Sequence, residues 1–389
     1  MDRFAISLGI AADDPRRVEA GLVFELSYNQ TAGHVFLPEE KLIQATATLL
    51  SVDAATVQAG LRRLEEAEHA VQDHLAGIDI AYLPELYEAE QYVARRLGAM
   101  AADRLPEPPN LESLVGQAQQ AGSVAYSPQQ AEAVRAAAVS RLLIVTGGPG
   151  TGKTTILRGI LELYGRMELT ALLAAPTGRA AKRLQEVTGQ EACTIHRLLE
   201  VDYSGGVVSF IHNDKNLLKC DVVILDEMSM VDVKLFQALI AALRYSCRII
   251  MVGDADQLPS VGPGNILGEV IRSGLVPTVC LNEIFRQARR SLIVENAHHI
   301  ISSEPLQKGG KTDDFFFLES DGDAAQKLVC DLVTTRLPRS YGFDPVRDIQ
   351  VLCPTKLGPT GTQALNVELQ NLLNPEQKGK PQLQSASRV

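Results

Sequence analysis

The sequence lacks the features of membrane, zinc-binding and secreted proteins. No apolar run approaches the roughly 20 residues that cross a bilayer, so we expect no membrane association. The six cysteines are scattered and no two are spaced as C-x-x-C, which disfavours a zinc site and a disulfide framework. Residues Met1–Ala5 lack a basic segment followed by an apolar one, so we expect no secretion signal. These absences favour a cytoplasmic protein with reduced thiols.

An excess of basic residues is also missing. The formal net charge is −10, with 9 Lys or Arg and 19 Asp or Glu in residues 1–125 and 28 of each sign in residues 126–389. Bulk charge therefore gives no indication of nucleic-acid binding, and any DNA contact must come from a local groove. The acidic N-terminal part is a poor candidate for a DNA surface and a better one for contact with a protein partner.

A complete phosphate loop of the pattern G-x-x-x-x-G-K-T is present at Gly147–Thr154. It follows the apolar stretch Leu142–Val145 and precedes a helix-like run, Ile156–Leu163, which is the strand–loop–helix context of a nucleotide site. Successive backbone N–H groups of such a loop form a nest for phosphate oxygens, and the following helix adds its positive end. The pattern predicts binding of a nucleoside triphosphate.

The loop residues have expected roles. Lys153 should reach the β- and γ-phosphates, and the Thr154 hydroxyl should ligate Mg²⁺. The residues expected to hold the nucleotide are Gly148, Pro149, Gly150, Thr151, Gly152, Lys153, Thr154 and Thr155.

A second apolar run, Val222–Leu225, ends in two carboxylates. We expect Asp226 to hold Mg²⁺ through the water shell of the ion. Glu227 is expected to orient the attacking water and take its proton. The alternative is an acidic strand end that faces solvent.

Two later residues complete the expected catalytic set of Lys153, Glu227, Gln257 and Arg286. Gln257 follows another apolar run, where its amide could reach the γ-phosphate or its water. Arg286 could bring a cation to the transferring phosphoryl group from a different domain. The alternatives are an ordinary loop amide and a surface arginine.

The order of apolar patterns predicts an α/β fold in three parts. Residues 1–105 are mostly helical with short strands, which suits a winged-helix-like module or a generic helical cap. Residues 111–274 alternate strand and helix, with a hairpin near 200–212, and this pattern is typical of a parallel sheet with helices on both faces. Residues 275–389 begin a second α/β region.

These motifs together resemble superfamily 1 helicases, and more narrowly the RecD-type helicases in their long form with an N-terminal extension. Ser127–Ala131 resembles the adenine-reading Q motif, with Gln130 in the base-contacting place. The other matching segments are Ala175–Ala181 and Thr194–Leu199 for motifs Ia and Ib, Asp226–Met230 and Gly253–Gly264 for motifs II and III, Ile284–Gln287 for motif IV, and Asp14–Arg17 for the extension.

The resemblance implies a fold of two RecA-like motor domains, the second of them incomplete here. It further implies ATP and Mg²⁺ in the cleft, single-stranded DNA across the top, movement 5′→3′ and separation of duplex, in DNA repair or recombination, as for the alpha subunit of exodeoxyribonuclease V. Thr177, Arg179 and His196 match family positions near the DNA. A structural histidine is the alternative for His196. Such a motor is expected to be a monomer, because its cleft closes within one chain.

The chain departs from the family pattern at both ends. Motifs V and VI do not follow Asn366, and the N-terminal extension is shorter than in the long form. We therefore expect a fragment that binds ATP–Mg²⁺ but hydrolyses it poorly and does not unwind DNA. Two alternatives stay open: a non-catalytic ATP-dependent module that binds DNA or protein, and a motor on RNA.

Overall fold

The computed structural model describes residues 6–7, 9–122, 125–202, 209–283, 291–310 and 314–375. The chain divides into two compact units, Met1–Pro305 and Leu306–Val389. Within the described residues, no helix combines the length and the apolar character needed to cross a membrane.

The first unit begins with helices around a small antiparallel sheet. Leu22, Leu42 and Leu61 form the centre of its own core. Asp53 caps the helix Ala54–Glu66, because its side chain accepts a hydrogen bond from the Thr56 amide. The sheet order is β1-β3-β2. The elements are α1 (Pro15–Gln30), β1 (Phe36–Pro38), α2 (Glu39–Leu50), α3 (Ala54–Glu66), β2 (Val71–Leu75), β3 (Ile78–Tyr82) and α4 (Pro84–Ala102).

A six-stranded parallel sheet follows in the same unit, in the order β11-β4-β10-β9-β5-β6. The elements up to the middle of the sheet are α5 (Leu111–Gly122), α6 (Pro128–Val139), β4 (Leu142–Thr146), α7 (Lys153–Arg166), β5 (Ala171–Ala175), α8 (Gly178–Thr188), β6 (Ala192–Thr194) and α9 (Ile195–Leu199). The later ones are β7 (Val201–Asp202), β8 (Ser209–Phe210), β9 (Val222–Leu225), a 3₁₀ turn (Met228–Met230), α10 (Val233–Ala241), β10 (Arg248–Gly253), α11 (Ile266–Ser273), β11 (Thr278–Cys280) and α12 (Leu292–Ile301).

Alternate residues of each central strand enter two different cores. Leu142 and Ile144 of β4 join a cluster with α4 and α10, whereas Leu143 and Val145 join a cluster with α5, α6 and α7. Successive side chains of a strand point to opposite faces, so both faces of the sheet are covered by helices. This arrangement confirms the predicted fold class for the first motor domain and for the mostly helical N-terminal part.

The first sheet includes a strand beyond residue 274, where the sequence analysis ended the first domain. Strand β11 (Thr278–Cys280) pairs with β4 and is therefore an edge strand of the first sheet. Near the predicted hairpin, β7 and β8 pair antiparallel, and residues 203–208 between them lie outside the described residues.

The second unit is helical where the structure describes it. Its elements are α13 (Gly322–Asp331), a π-helical turn (Leu332–Arg336), α14 (Leu337–Tyr341) and α15 (Thr362–Leu373). A second, incomplete RecA-like domain stays a prediction.

Candidate nucleotide site and nucleic-acid surface

Three adjacent parallel strands deliver the predicted nucleotide-site residues to one edge of the sheet. Strands β4 and β10 end side by side at the pair Thr146 and Gly253. Gly147 and Asp254 are the next residues on these two strands. The neighbouring strand β9 ends at Leu225, which pairs with Met251, and Asp226 follows it directly. The phosphate loop and the acidic residues of two other strands therefore share one carboxyl edge.

The phosphate loop is built on backbone that favours glycine. Gly150 and Gly152 have φ angles of 76° and 82°, in the left-handed region where a side chain is strained. A methyl group added at Gly147 would lie 2.6 Å from the carbonyl oxygen of Leu281. The Thr151 hydroxyl donates a 2.9 Å hydrogen bond to the Gly148 carbonyl and closes the turn. Helix α7 then begins at Lys153, with its positive end towards the loop.

The ammonium of Lys153 lies across this loop. Its Nζ donates hydrogen bonds to the carbonyl of Gly147 and, at 3.0 Å, to that of Gly148. Burial lowers the pKa of Lys153, and the carboxylates of Asp254, Glu227 and Asp226 oppose that shift. A cation thus stands at the loop with three acidic side chains near it.

The two acidic residues after β9 differ in side-chain hydrogen bonding and in backbone conformation. Asp226 Oδ1 accepts a 3.0 Å hydrogen bond from the Glu227 amide. Burial raises the pKa of Asp226, and the nearby charge of Lys153 acts in the opposite direction. Glu227 has a φ of 55°, an uncommon conformation for a non-glycine residue that recurs at functional sites.

Oxygen donors at this edge fit a magnesium ion. Thr154 offers a hydroxyl and Asp226 a carboxylate, and Mg²⁺ prefers such ligands while keeping several waters. No ion pair to Asp226 forms within the described residues, although the side chain is partly buried and burial raises its pKa. A cation bound beside Asp226 would offset that buried charge.

Gln257 is exposed in the segment after β10, and its Oε1 accepts a 3.3 Å hydrogen bond from the Ser229 hydroxyl. Asp254, three residues earlier, is only 3 % exposed. Sequence reasoning gave no role to Asp254, although its place directly after an apolar run is the same signal that identified Asp226. Arg183 of α8 was also missed: its charge lowers the pKa of both Lys153 and Asp226, so α8 approaches the site.

Gln130 has both ends of its amide engaged within the protein. Its Oε1 accepts from the Ser127 amide at 3.1 Å, and its Nε2 donates to the Thr151 carbonyl at 3.4 Å. Ser127 and Gln130 form a capping box at the start of α6, a role that the S-x-x-Q spacing could have revealed. The residue is 1 % exposed, so the expected contact with a base would require these bonds to open, and it stays a prediction.

A cavity of about 250 Å³ opens beside the start of α7. Its lining includes Tyr126, Thr154, Thr155 and Arg158. Two of the predicted nucleotide-binding residues therefore face a space next to the phosphate loop. Arg286 and the rest of Ile284–Gln287 lie outside the described residues.

The three expected DNA-binding residues follow strands that lie beyond β9 from the phosphate loop, at the same carboxyl edge of the sheet. Strands β5 and β6 pair Ala175 with Thr194, and Thr177 and His196 each come two residues later. Thr177 caps α8 through a 3.2 Å hydrogen bond from the Ala180 amide to its hydroxyl, and Arg179 is exposed. His196 is exposed and packs against Phe210 of β8, with ring centroids 6.0 Å apart.

Comparison with known proteins finds helicases and a matching family model. A family model for an AAA domain matches residues 130–263, which run from α6 past the end of β10. The chain is 34 % identical to the ATP-dependent RecD2 DNA helicase of Deinococcus radiodurans, over 97 % of this chain and 52 % of that protein. It is 29 % identical to the RecBCD enzyme subunit RecD of Mycobacterium tuberculosis, over 98 % of this chain and 68 % of that protein.

The chain spans about half the length of the Deinococcus relative. Among solved structures, the Pif1 helicase from Candida albicans is similar, with 22 % identity and a TM-score of 0.38 over 57 % of this chain and 50 % of that one. The resemblance that the motifs indicate is confirmed by the two relatives that match nearly the whole of this sequence.

Proposed function

This chain is related to the RecD-type helicases, and we propose that it is an ATP-dependent DNA helicase that moves 5′→3′ on single-stranded DNA and couples ATP hydrolysis to duplex separation. One observation carries the proposal. Lys153, Asp226 and Glu227 meet at the carboxyl edge of three adjacent parallel strands, with a glycine-rich loop and the start of a helix beside them. That combination supports binding and cleavage of a nucleoside triphosphate.

Each residue has a separate task in this proposal. When a nucleotide binds, Lys153 Nζ donates to phosphate oxygens instead of to the loop carbonyls. The N–H groups of the loop hold the remaining phosphate charge. Thr154 and Asp226 would hold Mg²⁺, which offsets phosphate charge when it is bound. Glu227 accepts the proton of the attacking water, and Gln257 orients that water.

The proposed path for single-stranded DNA runs over Thr177, Arg179 and His196. These residues follow β5 and β6, which lie beyond β9 from the phosphate loop. A hydroxyl, a guanidinium and an imidazole can contact phosphates or bases without reading a sequence. The proposed protein works in the cytoplasm as a monomer, with its acidic N-terminal part available to a protein partner.

Single-turnover ATP hydrolysis, with and without oligo-dT, tests the catalytic proposal even where turnover is slow. We expect oligo-dT to accelerate hydrolysis by the unmodified chain. Glu227→Gln should slow the step on the order of 10²-fold while ATP affinity is retained, because the variant keeps the size of the side chain and loses its basicity. A hydrolysis rate that changes neither with oligo-dT nor with Glu227→Gln would instead favour the non-catalytic binding module.

The DNA substrate and polarity need their own measurement. Of equal duplexes with a 5′ tail, a 3′ tail or a 5′ RNA tail, a 5′→3′ motor on DNA separates the one with the 5′ DNA tail best, and separation of none of them would mean that this chain is an incomplete motor. Preference for the 3′ tail would overturn the polarity, and preference for the RNA tail would overturn the substrate. Lys153→Ala serves as the inactive control in each case.

A further inference from the structure

Helix α12 places a histidine directly against the phosphate loop. A methyl group added at Gly148 would lie 3.0 Å from Cε1 and 3.6 Å from Nε2 of His298. His298 lies beyond β11, more than a hundred residues from the loop along the chain. The loop therefore has a side-chain neighbour that no sequence motif identified.

The imidazole of His298 has an unused polar atom at this contact. Nε2 is buried and makes no hydrogen bond within the described residues. A buried donor or acceptor without a partner destabilises the folded state, so a residue that only packed against the loop would be better apolar. The rest of α12 shows that apolar choices are common there, since Leu292–Ile301 contains five Leu, Ile or Val besides its two histidines.

His299 provides an internal comparison. Its Nδ1 lies 3.0 Å from the Pro305 carbonyl oxygen, and its Nε2 lies 3.5 Å from Glu304 Oε2. Both ring nitrogens of this neighbour thus have partners at the end of α12, whereas Nε2 of His298 faces the nucleotide loop without one. The two adjacent histidines therefore differ in hydrogen bonding.

The position on the loop indicates which phosphate His298 would meet. Gly148, which it contacts, supplies a carbonyl that accepts a 3.0 Å hydrogen bond from Lys153 Nζ. His298 therefore lies at the end of the loop served by the lysine of the β- and γ-phosphates. The side chains of Asp226, Glu227 and Asp254 make this end acidic, so an additional N–H donor would help to hold a triphosphate there.

We propose that His298 donates a hydrogen bond from Nε2 to the terminal phosphate of a bound nucleoside triphosphate, and so makes α12 sensitive to whether a tri- or a diphosphate fills the loop. The inference rests on the proposed function, because it assumes that the loop binds a nucleotide. It adds a residue that distinguishes ATP from ADP. It also gives the nucleotide a direct link to the segment that follows the first sheet.

Competition binding with a fluorescent ADP tests this assignment, with Mg²⁺ plus either a non-hydrolysable ATP analogue or ADP as competitor. For His298→Ala we expect affinity for the ATP analogue to fall about tenfold and affinity for ADP to stay within about twofold, the size of one hydrogen bond to a charged group. His298→Gln keeps an N–H donor and should recover part of the loss. His299→Ala, the matched control, should leave the ratio of the two affinities unchanged.

Three results would overturn the proposal. Equal losses for ATP analogue and ADP in His298→Ala would show a packing role, as would a His299→Ala variant with the same change in the ratio. The contact would also be excluded if His298→Ala left the ratio of the ATP-analogue and ADP affinities unchanged and His298→Gln recovered no affinity for the ATP analogue. Failure of the proposed function looks different, because the unmodified chain would then bind neither nucleotide and Lys153→Ala would change nothing.

Discussion

The Ser229 hydroxyl donates a 3.3 Å hydrogen bond to Oε1 of Gln257 and so joins the segments that follow β9 and β10. This bond uses the oxygen of the Gln257 amide, and the NH₂ group of the amide takes no part in it. The bond gives the amide one orientation at the edge of the sheet where the acidic residues stand. It is also the contact through which a change at Ser229 would reach Gln257.

Substitutions at this pair should affect hydrolysis rather than ATP binding. We expect Gln257→Ala to slow single-turnover hydrolysis on the order of 10²-fold, because it removes a positioned polar group. Ser229→Ala should have a smaller effect of roughly 2- to 10-fold, since it only loosens the amide. Ser273→Ala, which removes an exposed hydroxyl from the end of α11, is the control. A Ser229→Ala enzyme as fast as the unmodified one would contradict the positioning role.

Lys153 should be needed for nucleotide binding but unfavourable for stability. Lys153→Met is expected to weaken ATP binding at least about 100-fold, because the charge-assisted contacts to phosphate are lost. The same change should raise the free energy of unfolding by about 1 kcal/mol in the absence of nucleotide, as when other strained active-site groups are removed. Equilibrium urea unfolding and ligand binding measure the two effects.

The stability difference between Lys153→Met and the unmodified chain should shrink in alkali. Burial lowers the pKa of Lys153 below its usual 10.5, so the folded chain holds this proton more weakly than the unfolded chain does. The stability of the unmodified chain therefore rises as pH increases from the folded-state pKa towards 10.5, while the methionine variant lacks this change. A difference that grows in alkali would contradict this assignment.

Glu90 on α4 should destabilise the protein at neutral pH. Burial raises its pKa and the charge of Glu269 adds to that, whereas the hydrogen bond from Tyr82 lowers it. The folded state thus holds the proton more tightly, and stability is lost as pH rises above the usual 4.5 through the folded-state pKa. We expect Glu90→Gln to be more stable by up to about 1 kcal/mol at neutral pH. The two proteins should converge in acid.

Glu88 is the matched control for Glu90, because it is exposed on the same helix. Glu88→Gln should change the unfolding free energy by less than about 0.5 kcal/mol at every pH, as is usual for surface changes. A Glu90→Gln variant whose advantage persisted in acid would show that packing, not ionisation, causes the effect.

Arg96 should be a major support between α4 and the motor domain. It is 4 % exposed, its guanidinium donates to the carbonyls of Leu243 at 3.1 Å and Arg244 at 2.9 Å, and it lies 3.6 Å from the centre of the Tyr245 ring. We expect Arg96→Ala to lower the free energy of unfolding by about 2–4 kcal/mol, through lost hydrogen bonds and packing.

The neighbouring Arg95 gives the comparison for Arg96. It is exposed, and among the described residues its side chain bonds within its own helix, to the Gln91 carbonyl. Arg95→Ala should therefore cost less than about 0.5 kcal/mol in the same urea titration. Equal losses for the two variants would mean that helix propensity rather than the contact with Leu243 and Arg244 sets the cost.

The central strands could be predicted from the sequence and the edge strands could not. Each of β4, β10, β9 and β5 has a run of apolar residues, because each is covered by helices on both faces. The edge strands β6 and β11 have three residues each and little buried surface, so they carry no such run. The sequence therefore carries no signal for β11, which begins at Thr278, after the predicted boundary at residue 274.

The candidate site was predictable where backbone geometry forces the residue type. The phosphate loop requires glycine at positive φ, and carboxylates stand out after a buried strand, so these positions were found. Contacts made by folding across long distances leave no local pattern. His298 against Gly148, and Arg183 near Lys153, are of that kind. Gln130 shows a different limit, since one spacing suits both a helix cap and a base contact.

One apolar cluster on a face of the six-stranded sheet also contains residues of the N-terminal part, residues 1–105. Tyr82, Leu86 and Val93 belong to the same cluster as Ile144 and Phe236. Removing residues 1–105 would therefore uncover one face of the sheet and expose its apolar side chains to water. The N-terminal helices thus share one core with the sheet, so a partner bound to them would contact a part of the molecule that packs directly against the candidate nucleotide-binding domain.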